Sequence, residues 1–267
     1  MRYLGALIAT FFFSHLGCAA VQTKAIEYKD GDLVLQGFLA WDDSVATEKT
    51  PAPGVLVCPE WWGVNDYSRS RAKQLAELGY VAFAIDMYGK GKVTTDPKQA
   101  GQWAGEVMKD EKVRRARATA GLKVLLDQKM VDTAKVAAIG YCMGGTAALE
   151  LARTGADLKA VVAFHASTYT AQNPADNKNI KGTVVVCQGA DDTFVPAGEG
   201  EKFKKQMKEA GVDYVLVEYS GAVHAFTNPD AGSFKLPGVE YNANADQRSW
   251  AEMKEVFREK LGTKSGK

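Results

Sequence analysis

The 267-residue chain is poor in three things: it has three histidines, four cysteines and almost no net charge, with 33 Lys+Arg against 32 Asp+Glu. The balanced charge leaves no basic excess for nucleic acid and no polybasic patch for a membrane surface. There is no internal repeat and no low-complexity segment. So few histidines make the list of candidate bases very short. What remains is ordinary globular composition, 46% hydrophobic and 24% charged, on a length that suits one α/β domain.

An apolar stretch from Tyr3 to Phe13 is too short to span a bilayer comfortably. Arg2 precedes it and the small residues Gly17-Cys18-Ala19-Ala20 follow. This reads as a secretory signal over 1–20, cut after Ala20, with 21–267 as a single exported domain, periplasmic or secreted. Cys18 offers a lipoprotein anchor as the second choice, although His15 and Leu16 sit where a lipobox prefers Leu and a small residue. The mature chain then holds Cys58, Cys142 and Cys187, an odd number. Cys58 and Cys187 close predicted strands and are expected to be buried and reduced, which flags the remaining thiol for reactivity.

That thiol lies in Gly140-Tyr141-Cys142-Met143-Gly144-Gly145. A short apolar run, Ala134–Ile139, precedes it, and Thr146–Ala152 reads as a helix. Strand, Gly-x-Cys-x-Gly turn and helix form the setting of a nucleophile elbow. The turn would lift Cys142 clear of the sheet, near the positive end of a helix. Gly140 and Gly144 would let neighbouring backbone approach.

Strands are expected at Ala25–Tyr28, Leu33–Leu39, Gly54–Cys58, Val81–Ile85, Ala160–Phe164, Thr183–Gln188 and Tyr214–Tyr219. Helices are expected at Tyr67–Leu78, over a broken stretch from Lys98 to Asp127, at Gly198–Ala210 and at Ala243–Leu261. In the broken stretch, Val113, Ala116, Ala120 and Val124 read as the apolar stripe, with Arg114, Arg115 and Arg117 on a solvated face. The alternation predicts a mostly parallel sheet of about eight strands with helices on both faces, an α/β-hydrolase fold. Clusters around Glu60, Asp86, Cys142, Asp192 and His224 all follow strands, where such sheets bind ligands.

A cysteine nucleophile needs a base and an acid that orients the base. The elbow's chain order is nucleophile, acid, histidine. His224 follows Asp192, whereas His165 precedes every candidate acid, so the triad reads Cys142, Asp192, His224 and His165 reads as a packed residue at the site's rim. Asp191 competes with Asp192, since one of the two could cap the helix that follows. The backbone N–H groups of Met143 and Trp61 are the candidate oxyanion donors. Trp62, Tyr88 and, less directly, Tyr241 are candidate walls of a substrate pocket. No metal site is read from the sequence.

Pro59-Glu60-Trp61-Trp62-Gly63-Val64-Asn65, Asp86-Met87-Tyr88-Gly89, the Cys142 elbow, Gly189-x-x-Asp192-x-Phe194-Val195-Pro196 and His224-Ala225-Phe226 occur in that order. Together they resemble the dienelactone hydrolase family of α/β-hydrolases, from about Lys24 to Leu261. The resemblance implies hydrolysis of a small lactone or ester through a cysteine acyl-enzyme, with no cofactor. It also implies that Glu60 matches a glutamate that tunes the nucleophile; a salt bridge to Lys90 or an arginine is the alternative role. Two family arginines that hold a substrate carboxylate are replaced, by Lys90 and by Asn228, and the segment 228–241 is extra. Lysine does not grip a carboxylate bidentately, so Lys90 is a weaker substrate-binding candidate. A monomer acting on a small molecule is expected. A non-catalytic binder on the same scaffold and an exported thioesterase or thiol redox protein are the rival readings.

Overall fold

The computed structural model describes residues 21–262. The expected leader, with Cys18, lies outside the described residues. Val21–Asp30 (β1) and Leu33–Asp42 (β2) form an antiparallel hairpin across the Gly31-Asp32 turn, where Gly31 takes a left-handed φ of 59°. Ala52–Cys58 (β3), Val81–Ala84 (β4), Val131–Tyr141 (β5), Ala160–Phe164 (β6), Thr183–Gly189 (β7) and Tyr214–Tyr219 (β8) complete one eight-stranded sheet. Its order is β1-β2-β4-β3-β5-β6-β7-β8, with every pair from β4 to β8 parallel. β6 and β7 are buried along their whole length, as befits strands covered on both faces.

Six helices cover the sheet: Asp66–Glu77 (α1), Pro97–Met108 (α2), Glu111–Leu126 (α3), Met143–Arg153 (α4), Glu199–Ala210 (α5) and Ala243–Leu261 (α6). The strand period of two sorts the core into two layers. Val55, Val57, Ala137 and Ile139 pack toward α1 and α6, through Leu75, Met253 and Phe257. Leu56, Cys58 and Ala138 face α3, α4 and α5, through Leu125, Ala147 and Phe203. Side chains such as Leu56 and Ile139, fully removed from water, each contribute roughly 2 kcal/mol.

The expected break between α2 and α3 is present, and Asp110 caps α3 by accepting from the Lys112 N–H. The expected α3 stripe is not. Arg114, Ala118, Gly121, Leu122 and Leu125 are the buried positions, while Ala116 is exposed. Arg114 donates to the Met108 carbonyl at the end of α2, Arg115 pairs with Glu150 and Asp176 at 2.8 and 2.7 Å, and Arg117 donates to the Met87 carbonyl. These arginines fasten α3 to its neighbours instead of forming a solvated face.

The order reverses at β3, which has β4 on one side and β5 on the other. The loops after β3 and β5 therefore flank a crevice at the carboxyl edge of the sheet. They touch there. A Cβ on Gly144 would fall on the carbonyls of Cys58 and Pro59, and one on Gly140 would fall on the Gly144 backbone. Because the obstacles are backbone, Gly144→Ala is expected to destabilise the protein by about 3 kcal/mol in denaturant unfolding. A loss below ~1 kcal/mol with unchanged Cys142 reactivity would contradict this packing.

Candidate active site

Cys142 sits between β5 and α4 with φ 54° and ψ −124°, a conformation that side chains other than glycine rarely adopt. Its amide donates to the Phe164 carbonyl at 3.1 Å and to His165 Nδ1 at 3.2 Å. The sulfur is half-buried and lies 3.5 Å from Ser167 Oγ. Cys58 and Cys187 are buried, free thiols pushed up to about 12 by burial, so of the described cysteines Cys142 alone is poised to react.

His224 and Cys142 line one cavity of about 310 Å³ at the crevice. His224 Nδ1 lies 2.8 Å from Asp192 Oδ2. The same carboxylate accepts from Gln188 Nε2 at 2.6 Å and from the Phe194 amide at 2.9 Å, which fixes its plane. Asp191 instead accepts from the Gly221 amide at 3.0 Å, so the choice between the two aspartates falls on Asp192. Burial alone would push the His224 pKa down; Cys142 and Asp192 beside it overcome this and raise it to about 10. Phe194, half exposed at the mouth, packs its ring 4.8 Å from that of His224.

Met143 and Trp61 both line the cavity, on either side of the crevice. Neither backbone N–H has an acceptor among the described residues, the state expected of donors aimed at a ligand oxygen. Tyr88 was expected as a pocket wall. It is buried behind the site, where its hydroxyl lies 3.0 Å from both the Trp61 carbonyl and Met143 Sδ. It thus braces the residues of the two candidate donors and is not among those lining the cavity. Trp62 does line the cavity, stacked on Phe234 at 4.1 Å.

Glu60 is 2% exposed and lines the cavity. Asn228 donates to its Oε2 at 2.7 Å, so the residue standing at an expected arginine position serves Glu60. Burial, only partly offset by Asn228, His224 and Arg71, raises its pKa to about 7. Lys90 is not a partner of Glu60: it is half exposed, pairs with Glu27 at 2.5 Å, and is absent from the cavity lining. Its loop folds back along β2, with the Lys90 amide on the Val34 carbonyl. Tyr241 also points elsewhere, to Asp246 on α6 at 3.3 Å.

The sequence reading missed several contributors. Ser167 lies beside the sulfur but in a stretch whose polarity reads only as loop. Gln188, the penultimate residue of β7, looks like any strand end. The extra segment 228–241 supplies Phe234, Leu236 and Val239 to the cavity, and it is strapped to both sides of His224: the His224 amide donates to the Gly238 carbonyl at 3.1 Å, and the Glu240 amide to the His224 carbonyl at 3.2 Å.

A mostly parallel sheet with a strained cysteine elbow, a carboxylate-bound histidine and, around one cavity, two amides without an acceptor among the described residues defines an α/β-hydrolase. The particular family follows from comparison: the dienelactone hydrolase family matches residues 39–261, and the chain belongs to it. It is 31% identical over 212 residues to "Protein usf" of Aquifex pyrophilus, covering 77% of this chain and 87% of that one. It is 30% identical to the "Putative carboxymethylenebutenolidase" of Aquifex aeolicus, with the same coverage. A crystal structure of a dienelactone hydrolase-like promiscuous phosphotriesterase from metagenomic libraries superposes with a TM-score of 0.87 at 39% identity, covering 91% of this chain and all of that one. The acylaminoacyl peptidase of Pyrococcus horikoshii, at 12% identity and TM-score 0.67, shares the fold alone. The protein is an ester or lactone hydrolase of the dienelactone hydrolase type.

The Glu60 shift carries a pH-dependent cost. The carboxyl ionises near 4.5 when unfolded and near 7 when folded, so its contribution is fully present below pH 4.5 and is lost as pH rises to 7. The loss is at most roughly 3 kcal/mol. Glu60→Gln is therefore expected to gain stability relative to wild type between pH 4.5 and pH 8 in denaturant unfolding. A stability difference that does not change with pH would contradict it.

Proposed function

We propose that this hydrolase cleaves small, uncharged, apolar carboxylic esters or lactones through a Cys142–His224–Asp192 triad and a cysteine acyl-enzyme. The carrying observation is the 2.8 Å contact of His224 with an Asp192 carboxylate that two further donors hold in place, in the cavity that Cys142 lines. Cys142 gives its thiol proton to His224 and attacks the acyl carbon. The Met143 and Trp61 amides take the oxyanion as the carbonyl π bond opens. The alkoxide leaves as that bond reforms, protonated by His224, and a thioester remains. His224 then draws a proton from water as it attacks the thioester; the C–S bond breaks, the Cys142 thiolate re-forms beside the imidazolium, and the acid departs. Asp192 holds the imidazolium in each half-reaction. Glu60 adjusts the charge around the nucleophile.

The substrate class rests on the lining. Trp61, Trp62, Met108, Phe194, Phe234, Leu236 and Val239 enclose the cavity, and no Arg or Lys is among the lining residues described. A substrate carboxylate would meet Glu60 with no Arg or Lys to hold it, and the His224 imidazole beside it is already held by Asp192. This disfavours dienelactone, whose carboxylate the family's arginines grip. The promiscuous phosphotriesterase similar to this chain favours the same reading, since phosphotriesters are also uncharged. We also infer that the protein is exported, on the leader composition at 1–20.

Incubation with p-nitrophenyl acetate, followed by intact mass, is expected to show a transient acetyl adduct on wild type and none on Cys142→Ala. An adduct on Cys142→Ala would remove the triad. Asp192→Asn is expected to lower kcat by ~10³–10⁴ with the fold intact. Against a matched aryl ester carrying a carboxylate, kcat/KM for the neutral ester should be at least ~10-fold higher, as one lost charge pairing predicts; equal values would reject the substrate class.

A further inference from the structure

Four non-glycine residues among those described hold a left-handed φ: Cys142 at 54°, His165 at 37°, Ala225 at 57° and Lys235 at 53°, the last between Phe234 and Leu236 of the cavity lining. Such backbone persists only where its surroundings hold it in place. The elbow accounts for Cys142. Beneath the cavity, a buried chain of polar contacts runs from the elbow through the His165 ring to Thr227, in the loop that carries Ala225 and His224. His165 is 0% exposed, under the elbow and not at the rim. Its Nδ1 accepts the Cys142 N–H at 3.2 Å, and its Nε2 lies 2.6 Å from Thr227 Oγ1. An Nδ1 that accepts leaves the proton on Nε2, so His165 donates to Thr227. Burial, with His224 and Arg71 nearby, holds its pKa well below the usual histidine value and keeps the ring neutral.

Thr227 is three residues beyond His224 and two beyond Ala225. Its hydroxyl also meets the Tyr67 hydroxyl at 2.6 Å, and Arg71 Nη2 donates both to the Thr227 carbonyl at 2.6 Å and to Asp246 at 2.5 Å. The loop bearing the candidate base is thereby tied to the amide of the candidate nucleophile through one imidazole. We infer that His165 and Thr227 are positioning residues, forming a bridge that fixes the separation of the Cys142 elbow and the His224 loop. The inference rests on the triad reading above. It assigns neither residue to the chemical step; they act by holding Cys142 and His224 in register.

A misplacement of about 1 Å in a reacting pair costs on the order of 100-fold in rate. Thr227→Val keeps the shape and removes the hydroxyl. Its acylation burst with p-nitrophenyl acetate is expected to keep the wild-type amplitude, which counts folded sites, while the burst rate and kcat fall ~10- to 100-fold and KM stays within about twofold. Thr227→Ser should restore the rate to within about threefold. His165→Asn puts an acceptor near the Nδ1 position but does not reach Thr227, and is expected to reproduce the Thr227→Val loss. A wild-type burst rate in Thr227→Val would overturn the inference while leaving the triad standing. If Thr227→Val does not fold, a wild-type burst rate in His165→Asn would overturn it equally. Acylation of Cys142→Ala would instead fail the triad reading itself, so the two failures are distinguishable.

Discussion

The turn at Cys142 is the constraint from which the site follows. A cysteine at positive φ between a strand and a helix is held there because Gly140 and Gly144 let three backbone segments meet without Cβ atoms between them. The same closeness presses the elbow against the carbonyls of Cys58 and Pro59. That contact brings the Pro59-Glu60-Trp61 loop to the nucleophile, and with it the second free amide and the buried carboxyl. Strand reversal at β3 supplies the crevice, and the elbow decides what faces into it.

Charge is handled by burial and pairing. Glu60 and His224 share a cavity walled largely by aromatic and aliphatic side chains. A medium of low dielectric disfavours an isolated charge, so Glu60 is driven toward its neutral form. His224 goes the other way because Cys142 and Asp192 stabilise its cation more than burial penalises it. Asn228 offers Glu60 a neutral donor where an arginine would bring a charge. A neutral donor leaves the neutral form of Glu60 favoured by burial, in keeping with the uncharged substrate proposed for the cavity. The segment carrying Phe234, Leu236 and Val239 continues the same preference by closing the cavity with apolar groups.

Parallel strands buried on both faces are legible as uninterrupted apolar runs, and β6 lies where such a run predicts and β7 within one residue of it. The candidate triad was legible because its logic is one of order along the chain, and a scarcity of histidine leaves little to choose between. Arginine partners were not legible. Arg115 and Arg117 reach Glu150, Asp176 and Met87, residues 35, 61 and 30 positions away, and helical periodicity carries no information about such distances. Lys90 and Tyr88, expected beside substrate, stand outside the cavity lining for a similar reason. Motif position places a residue in a loop, while packing decides which way its side chain turns; Tyr88 turned inward to Trp61 and Met143, and Lys90 outward to Glu27. His165 read as filler because its two partners, Cys142 and Thr227, come from different loops.

The most direct test of the central claim is titration with iodoacetamide, following activity and mapping the labelled peptide. The account predicts that one equivalent of label enters at Cys142, that activity falls in proportion, and that Cys58 and Cys187, buried with their thiols pushed up to about 12, stay unlabelled in the folded protein. Full hydrolase activity after complete alkylation of Cys142 would contradict it.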